Sequence, residues 1–228
     1  MEAVSINMHK KERDEIVKRI LCYGDSNTWG YQAVTGSRYP EEVRWPCILQ
    51  KLLGDAYHVY ENGLNGRTTV FEDDYDSYRS GVKEIIPAIM VTEPLDLIVL
   101  MLGTNDTKNY FGKSGHAIAK GMELLIRTTQ DYFLCEGEPV PQILVLGPID
   151  IAEDIEQKEN CCDFDCESVQ KMKDLKKKYP EIAQSCGCLY LDAAASAAPS
   201  EEDGIHITPE GHRALAEAVA DFIRSCLP

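Results

Sequence analysis

Short, almost wholly apolar runs alternate with stretches of helical periodicity along this chain of 228 residues. The runs at 20–23, 57–60, 95–102, 142–146 and 189–191 have strand length, and most stop at Gly, Pro or Asn. The 95–102 run is apolar at every position except Asp96, as expected of a parallel strand covered on both faces. Between the runs the periodicity predicts helices over 45–53, stopped by Gly54, over 78–90, kinked at Pro87, over 116–133 and over 167–178. A last helix begins where Thr208 can cap it and Pro209 suits its first turn, and Ala214, Leu215, Ala218, Val219 and Phe222 form its apolar stripe. This alternation specifies an α/β fold with a central parallel sheet of about five strands. There is no internal repeat and no low-complexity linker, so the chain reads as an N-terminal extension over 1–18 and a single domain over 19–228.

Charge and cysteine content narrow the setting. A formal net charge of −15 disfavours nucleic acid and anionic membrane surfaces as partners. No apolar run approaches the ~20 residues of a membrane span. The first 19 residues carry the charged stretch His9-Lys10-Lys11-Glu12-Arg13-Asp14-Glu15 and no apolar core of a secretory signal, so a cytoplasmic location is expected. Nine cysteines cannot all pair within the chain, and without a signal peptide reduced thiols are expected. Cys161, Cys162 and Cys166, with Cys186 and Cys188 further on, lack the two evenly spaced pairs of a structural zinc site, and no metal is expected.

The candidate chemistry lies in four polar blocks. Gly24-Asp25-Ser26 is a turn leaving the first strand, and a serine there is a candidate nucleophile. A serine hydroxyl is weak at its free pKa and needs an imidazole base, itself oriented by a carboxylate. Asp203-Gly204-Ile205-His206, before the last helix, has both groups at a spacing that lets the carboxylate reach Nδ1 and leaves Nε2 for Ser26. Gly66 follows the second strand and Asn105 the third, where a backbone N–H and a side-chain amide can serve as oxyanion donors. Ser26, Gly66 and Asn105 each lie just past a predicted strand, and in an open parallel sheet those ends share one edge, where ligands bind. Taken singly, each block also reads as an ordinary turn or a solvated loop. His58, His116 and His212 have no nucleophile at a recognisable spacing and read as structural or surface residues. Gly112-Lys113-Ser114 imitates the end of a phosphate-binding loop, but Thr107 stands where its first glycine belongs. No G-x-S-x-G elbow is present.

Together, the stretches Cys22-Tyr23-Gly24-Asp25-Ser26-Asn27-Thr28-Trp29-Gly30, Val43-Arg44-Trp45, Gly63-Leu64-Asn65-Gly66-Arg67-Thr68-Thr69 and Met101-Leu102-Gly103-Thr104-Asn105-Asp106-Thr107-Lys108, followed by Asp203-x-x-His206, resemble the SGNH (GDSL-like) hydrolase superfamily. The likeness is greatest to its arylesterase/acyltransferase branch. It implies a three-layer α/β/α sandwich of flavodoxin-like topology with no metal and no organic cofactor. Ser26 would be the nucleophile, His206 the base and Asp203 its orienter. The Ser26 and Gly66 N–H groups with the Asn105 amide would form the oxyanion hole. Trp29 and Trp45, with Tyr31, are candidates to line the substrate mouth, although aromatic residues near a strand edge more often serve packing. Asn27 stands where the GDSL name has leucine, and the segment 153–188 departs from the branch's pattern.

The expected function is a serine esterase acting on short-chain aryl, alkyl or acetylated-carbohydrate esters through an acyl-enzyme. The expected partner is a small-molecule ester, and a homo-oligomer is implied by the resemblance. Transfer of the acyl group to an alcohol is the nearest alternative. A flavodoxin-like module holding phosphate or flavin is the alternative of another class, and it leaves Asp203 and His206 without a task.

Overall fold

The computed structural model describes residues 17–159 and 163–227. Five strands, β1 (Lys18–Gly24), β2 (Tyr57–Gly63), β3 (Leu97–Met101), β4 (Gln142–Gly147) and β5 (Leu189–Asp192), form one sheet in the order β2-β1-β3-β4-β5. Every pairing is parallel. This is the flavodoxin-like order, whose switch point lies where β1 has β2 on one side and β3 on the other.

Side chains alternate across the sheet and build two cores. Leu21, Tyr23, Ile98, Leu100, Ile143 and Val145 face α3 (Gly81–Met90), α4 (Gly115–Glu136) and α5 (Cys166–Ser185). Ile20, Cys22, Leu97, Val99, Leu144 and Leu146 face α2 (Trp45–Leu53) and α6 (Pro209–Cys226). Three layers result, as the sequence implies, because each strand of a doubly covered sheet must be apolar on both faces.

Helix α2 has the bounds that the periodicity predicts. Elsewhere tertiary contacts move the ends. The predicted helix at 78 instead starts at Gly81 because Gly81 and Val82 donate their N–H groups to the Thr68 and Thr69 carbonyls, which holds Ser80 extended. Helix α5 runs past Pro180 to Ser185 rather than ending at 178. The proline removes one hydrogen bond, but Tyr179 and Ala183 on either side of it are buried against the sheet and carry the helix through. Helix α4 extends to Glu136, where Gly137 takes a left-handed conformation (φ 73°) as its cap. The four residues Ser26–Trp29 form a short helix, α1, that the sequence pattern does not announce.

Two expectations fall partly outside the described residues: most of the 1–18 extension, and Cys161 and Cys162. Of the remaining cysteines in that group, Cys166 opens α5 and Cys186 caps its far end, so a helix of 20 residues, ~30 Å long, separates them. Among the described residues no helix is long and apolar enough to cross a membrane.

Candidate active site

Strand register brings the site together. Gly24 of β1 pairs with Gly63 of β2 and Met101 of β3, so three strand ends stand side by side, each followed within a few residues by Ser26, Gly66 or Asn105. At Gly24 a Cβ would lie 2.1 Å from the Thr28 hydroxyl oxygen, so only glycine permits the chain to turn there. Asp25 then caps α1, its Oδ1 accepting from the Asn27 N–H at 3.0 Å. The turn leaves Ser26 as the first residue of α1, with its hydroxyl at the sheet edge.

The loop before α6 meets it there. His206 Nε2 lies 2.8 Å from Ser26 Oγ, and Nδ1 lies 2.5 Å from Asp203 Oδ2. Asp203 is 3% exposed, and its Oδ1 accepts from Ser200 Oγ and from the Ile205 and His206 N–H groups. Burial alone would raise this carboxyl. The hydrogen bonds and charge of His206, with the two backbone donors, outweigh it and hold Asp203 well below the ordinary carboxylate range. An ionised carboxylate on Nδ1 fixes the tautomer that leaves Nε2 as acceptor for the Ser26 proton.

Donors face the same place. Among the described residues the backbone N–H groups of Ser26 and Gly66 donate to no protein acceptor. Asn105 uses one amide hydrogen on the Arg67 carbonyl, at 3.1 Å, and keeps the other. Gly66 has φ +78°, and a Cβ there would stand 2.6 Å from Arg79 Nε, so this corner takes no side chain as it stands.

Buried polar residues that the sequence reading assigned no task lock these loops together. Arg67, stacked at 4.0 Å on the Tyr23 ring, donates to the Gly24 and Asn62 carbonyls at 2.8 and 2.7 Å. Asp106 accepts from the Thr69 N–H and hydroxyl, tying the loop after β3 to that after β2. The Asn27 amide accepts from the Ile207 N–H at 2.9 Å and donates to the Ile205 carbonyl at 3.3 Å. Burial pushes the Asp25 and Asp106 carboxyls up to about 6 and lowers the Arg67 guanidinium. The signal that could have found these residues is their company: charged and amide side chains inside the blocks that follow strongly apolar strands.

The aromatic residues divide. The Tyr31 ring lies against His206, centroids 4.3 Å apart and planes at 32°, with Trp29 next to it and Arg38 over Trp29 at 5.2 Å. Trp45 is corrected: it is 0% exposed, packed in the core between α2, α6 and the sheet, and lines no mouth. A side chain that buries 150–250 Å² contributes roughly 4–6 kcal/mol at 25 cal/mol per Å², which favours the core position. His58 and His116 are exposed, whereas His212 is buried, pushed down to about 4 by burial, and its Nδ1 accepts from the Trp45 N–H. None of the three adjoins Ser26 through a hydrogen bond.

A serine hydroxyl bonded to an imidazole, a carboxylate on its far nitrogen and unpaired donors beside the hydroxyl make up an acyl-transfer arrangement. Residues 22–214 match the family model of the GDSL-like lipase/acylhydrolases. The chain belongs to that family. Its fold agrees with that of the M. smegmatis aryl esterase at a TM-score of 0.85 and 34% identity, covering 92% of this chain and all of that one. A carbohydrate acetylesterase from Sinorhizobium meliloti agrees at a TM-score of 0.82 and 34% identity, covering 91% and 99% of the two chains. An acetylxylan esterase of Xylanibacter ruminicola is 24% identical over 218 residues, 90% of this chain, which spans only 43% of that protein's length.

Proposed function

We propose that this protein is a serine esterase that cleaves short-chain carboxylic esters through an acyl-enzyme, with Ser26 as nucleophile, His206 as base and Asp203 as its orienter. The observation that carries the reading is the unbroken chain Ser26 Oγ, His206 Nε2, His206 Nδ1, Asp203 Oδ2 at the sheet's switch point. Ser26 Oγ bonds to the ester carbonyl carbon as His206 Nε2 takes its proton. The carbonyl oxygen becomes an oxyanion among the Ser26 and Gly66 N–H groups and the free hydrogen of the Asn105 amide. Collapse expels the alcohol, which takes the proton from His206. Water repeats the sequence on the acyl-enzyme and releases the acid. An alcohol in place of water would give a new ester by the same steps.

A short acyl group is favoured by two of the similar proteins, a carbohydrate acetylesterase and an acetylxylan esterase, and an aromatic leaving group by the aryl esterase. Turnover of p-nitrophenyl acetate, butyrate and octanoate by wild type and Ser26→Ala tests this reading. Activity should fall with acyl length and vanish in the variant. Undiminished turnover by Ser26→Ala would overturn it. New ester formed with added alcohol in water measures the transfer branch, and hydrolysis alone at high alcohol would remove that branch.

A further inference from the structure

The residue that departs from the family's name carries an inference of its own. Asn27 is 1% exposed, and its amide spans the backbone on both sides of His206, with Oδ1 accepting from the Ile207 N–H and Nδ2 donating to the Ile205 carbonyl. Only one orientation of the amide satisfies both bonds, so the side chain acts as a two-point clamp rather than a space-filler. The clamp sits on the residue after Ser26, and its own N–H is fixed by Asp25.

The rest of the loop is anchored elsewhere. Ser200 donates its N–H to the His206 carbonyl, Gly204 donates to Ser200, and Pro199 bridges Ile207. Ala152, beyond β4, donates to the Gly204 carbonyl. Among the described residues, the hydrogen bonds joining the β1 turn to this loop are those of Asn27 and the Ser26–His206 bond itself. A leucine in this place could pack but could neither donate nor accept.

We propose that Asn27 is a positioning residue that sets the Ser26–His206 distance by clamping the backbone flanking the imidazole. The inference rests on the assignment of His206 as the base. Its consequence is that the serine's reactivity depends on the neighbouring amide although that amide touches neither substrate nor reacting atoms.

The test uses Asn27→Leu, which restores the family's leucine, and Asn27→Ala, which leaves room for water to pair with the freed backbone groups, each first shown to be folded by circular dichroism. The readouts are kcat and KM on p-nitrophenyl acetate, the pH dependence of kcat/KM, and the proton resonance of His206 Nδ1–H, which needs no substrate. A displaced base should lower kcat by about 10–100-fold, move KM little, and shift both the resonance and the pH profile. A folded variant with wild-type kcat would overturn the proposal, as would a loss of kcat with the resonance and pH profile unchanged. If wild type proves inactive on every ester while the resonance still shifts in the variants, the clamp stands and the esterase reading falls.

Discussion

The inner edge of the site and its outer rim are built in opposite ways. The inner edge, from Gly24 to Thr28 and around Gly66, Asn105 and Asp203, is buried and cross-bonded: Arg67, Asp106, Thr69 and Asn27 each join two strand-end loops. The rim is exposed and mostly bonded to itself. Arg38, Val34 and Ser37 are exposed, and among the described residues the Thr35, Ser37 and Gln32 side chains bond only to one another, while Arg38 alone of this group reaches back to Glu61 and the Trp29 carbonyl. In the loop whose Arg79 borders Gly66, Tyr75 and Tyr78 are also exposed, and Arg79 pairs with Asp73 and Asp76. A group that must be placed within a fraction of an ångström needs neighbours that cannot move. A surface that selects substrates only has to present shape. On the proposed mechanism the chemistry lies at the inner edge and substrate preference at the rim, and the two should respond differently to substitution.

The strongest way to break this division is Asp203→Asn, which keeps the shape of the side chain but loses control of the His206 tautomer. It should lower kcat by about 10⁴-fold with little change in fold, measured by p-nitrophenyl acetate turnover. A loss no larger than that of a rim substitution would erase the contrast. Next, Asn105→Ala should cost about 10²–10³ in kcat with KM nearly constant. An effect mainly on KM would mean that the amide holds ground-state substrate and not the oxyanion.

Tyr31→Ala sharpens the comparison, since this half-buried ring lies on His206 and belongs to the segment that leads into the exposed rim. Its loss should change kcat/KM at most about tenfold and alter the ratio of acetate to octanoate turnover. An unchanged ratio would remove Tyr31 from the substrate wall.

The smallest effect concerns stability. The Asp106 carboxyl titrates at about 6 in the folded protein against 3.8 ordinarily, chiefly through burial. A raised value means that the native state holds the proton where the unfolded chain has lost it. That stabilisation is complete below the unfolded value and is lost as pH rises through the folded one. Asp106→Asn removes the titration, so its melting temperature relative to wild type should climb from pH 4.5 to pH 7.5. A flat or falling difference would refute the buried-carboxylate account.

The sequence alone fixed the alternation of strands and helices, the parallel sheet with both faces covered, and the polar blocks at the strand ends. These are local or periodic properties: an apolar run such as 97–101 has one stable placement, between two layers, and Gly24 avoids a clash with Thr28, only four residues along the chain. The start of α3 was not legible, because the hydrogen bonds that delay it come from Thr68 and Thr69, a dozen residues away in sequence. Nor was the continuation of α5 through Pro180, which depends on packing that outweighs one missing donor. Trp45 shows the same limit, since a tryptophan near a strand edge can face a mouth or a core, and only the partners on α6 settle it.

Asn27 marks the boundary most sharply. As a letter it is a deviation from a motif. Its task exists only once parallel register and the loop before α6 bring residues 180 positions apart to 2.9 Å. Periodicity determines which face of an element is buried. Which polar groups then meet across the buried edge is decided by tertiary structure, because hydrogen bonds are directional and have partners only where the fold supplies them.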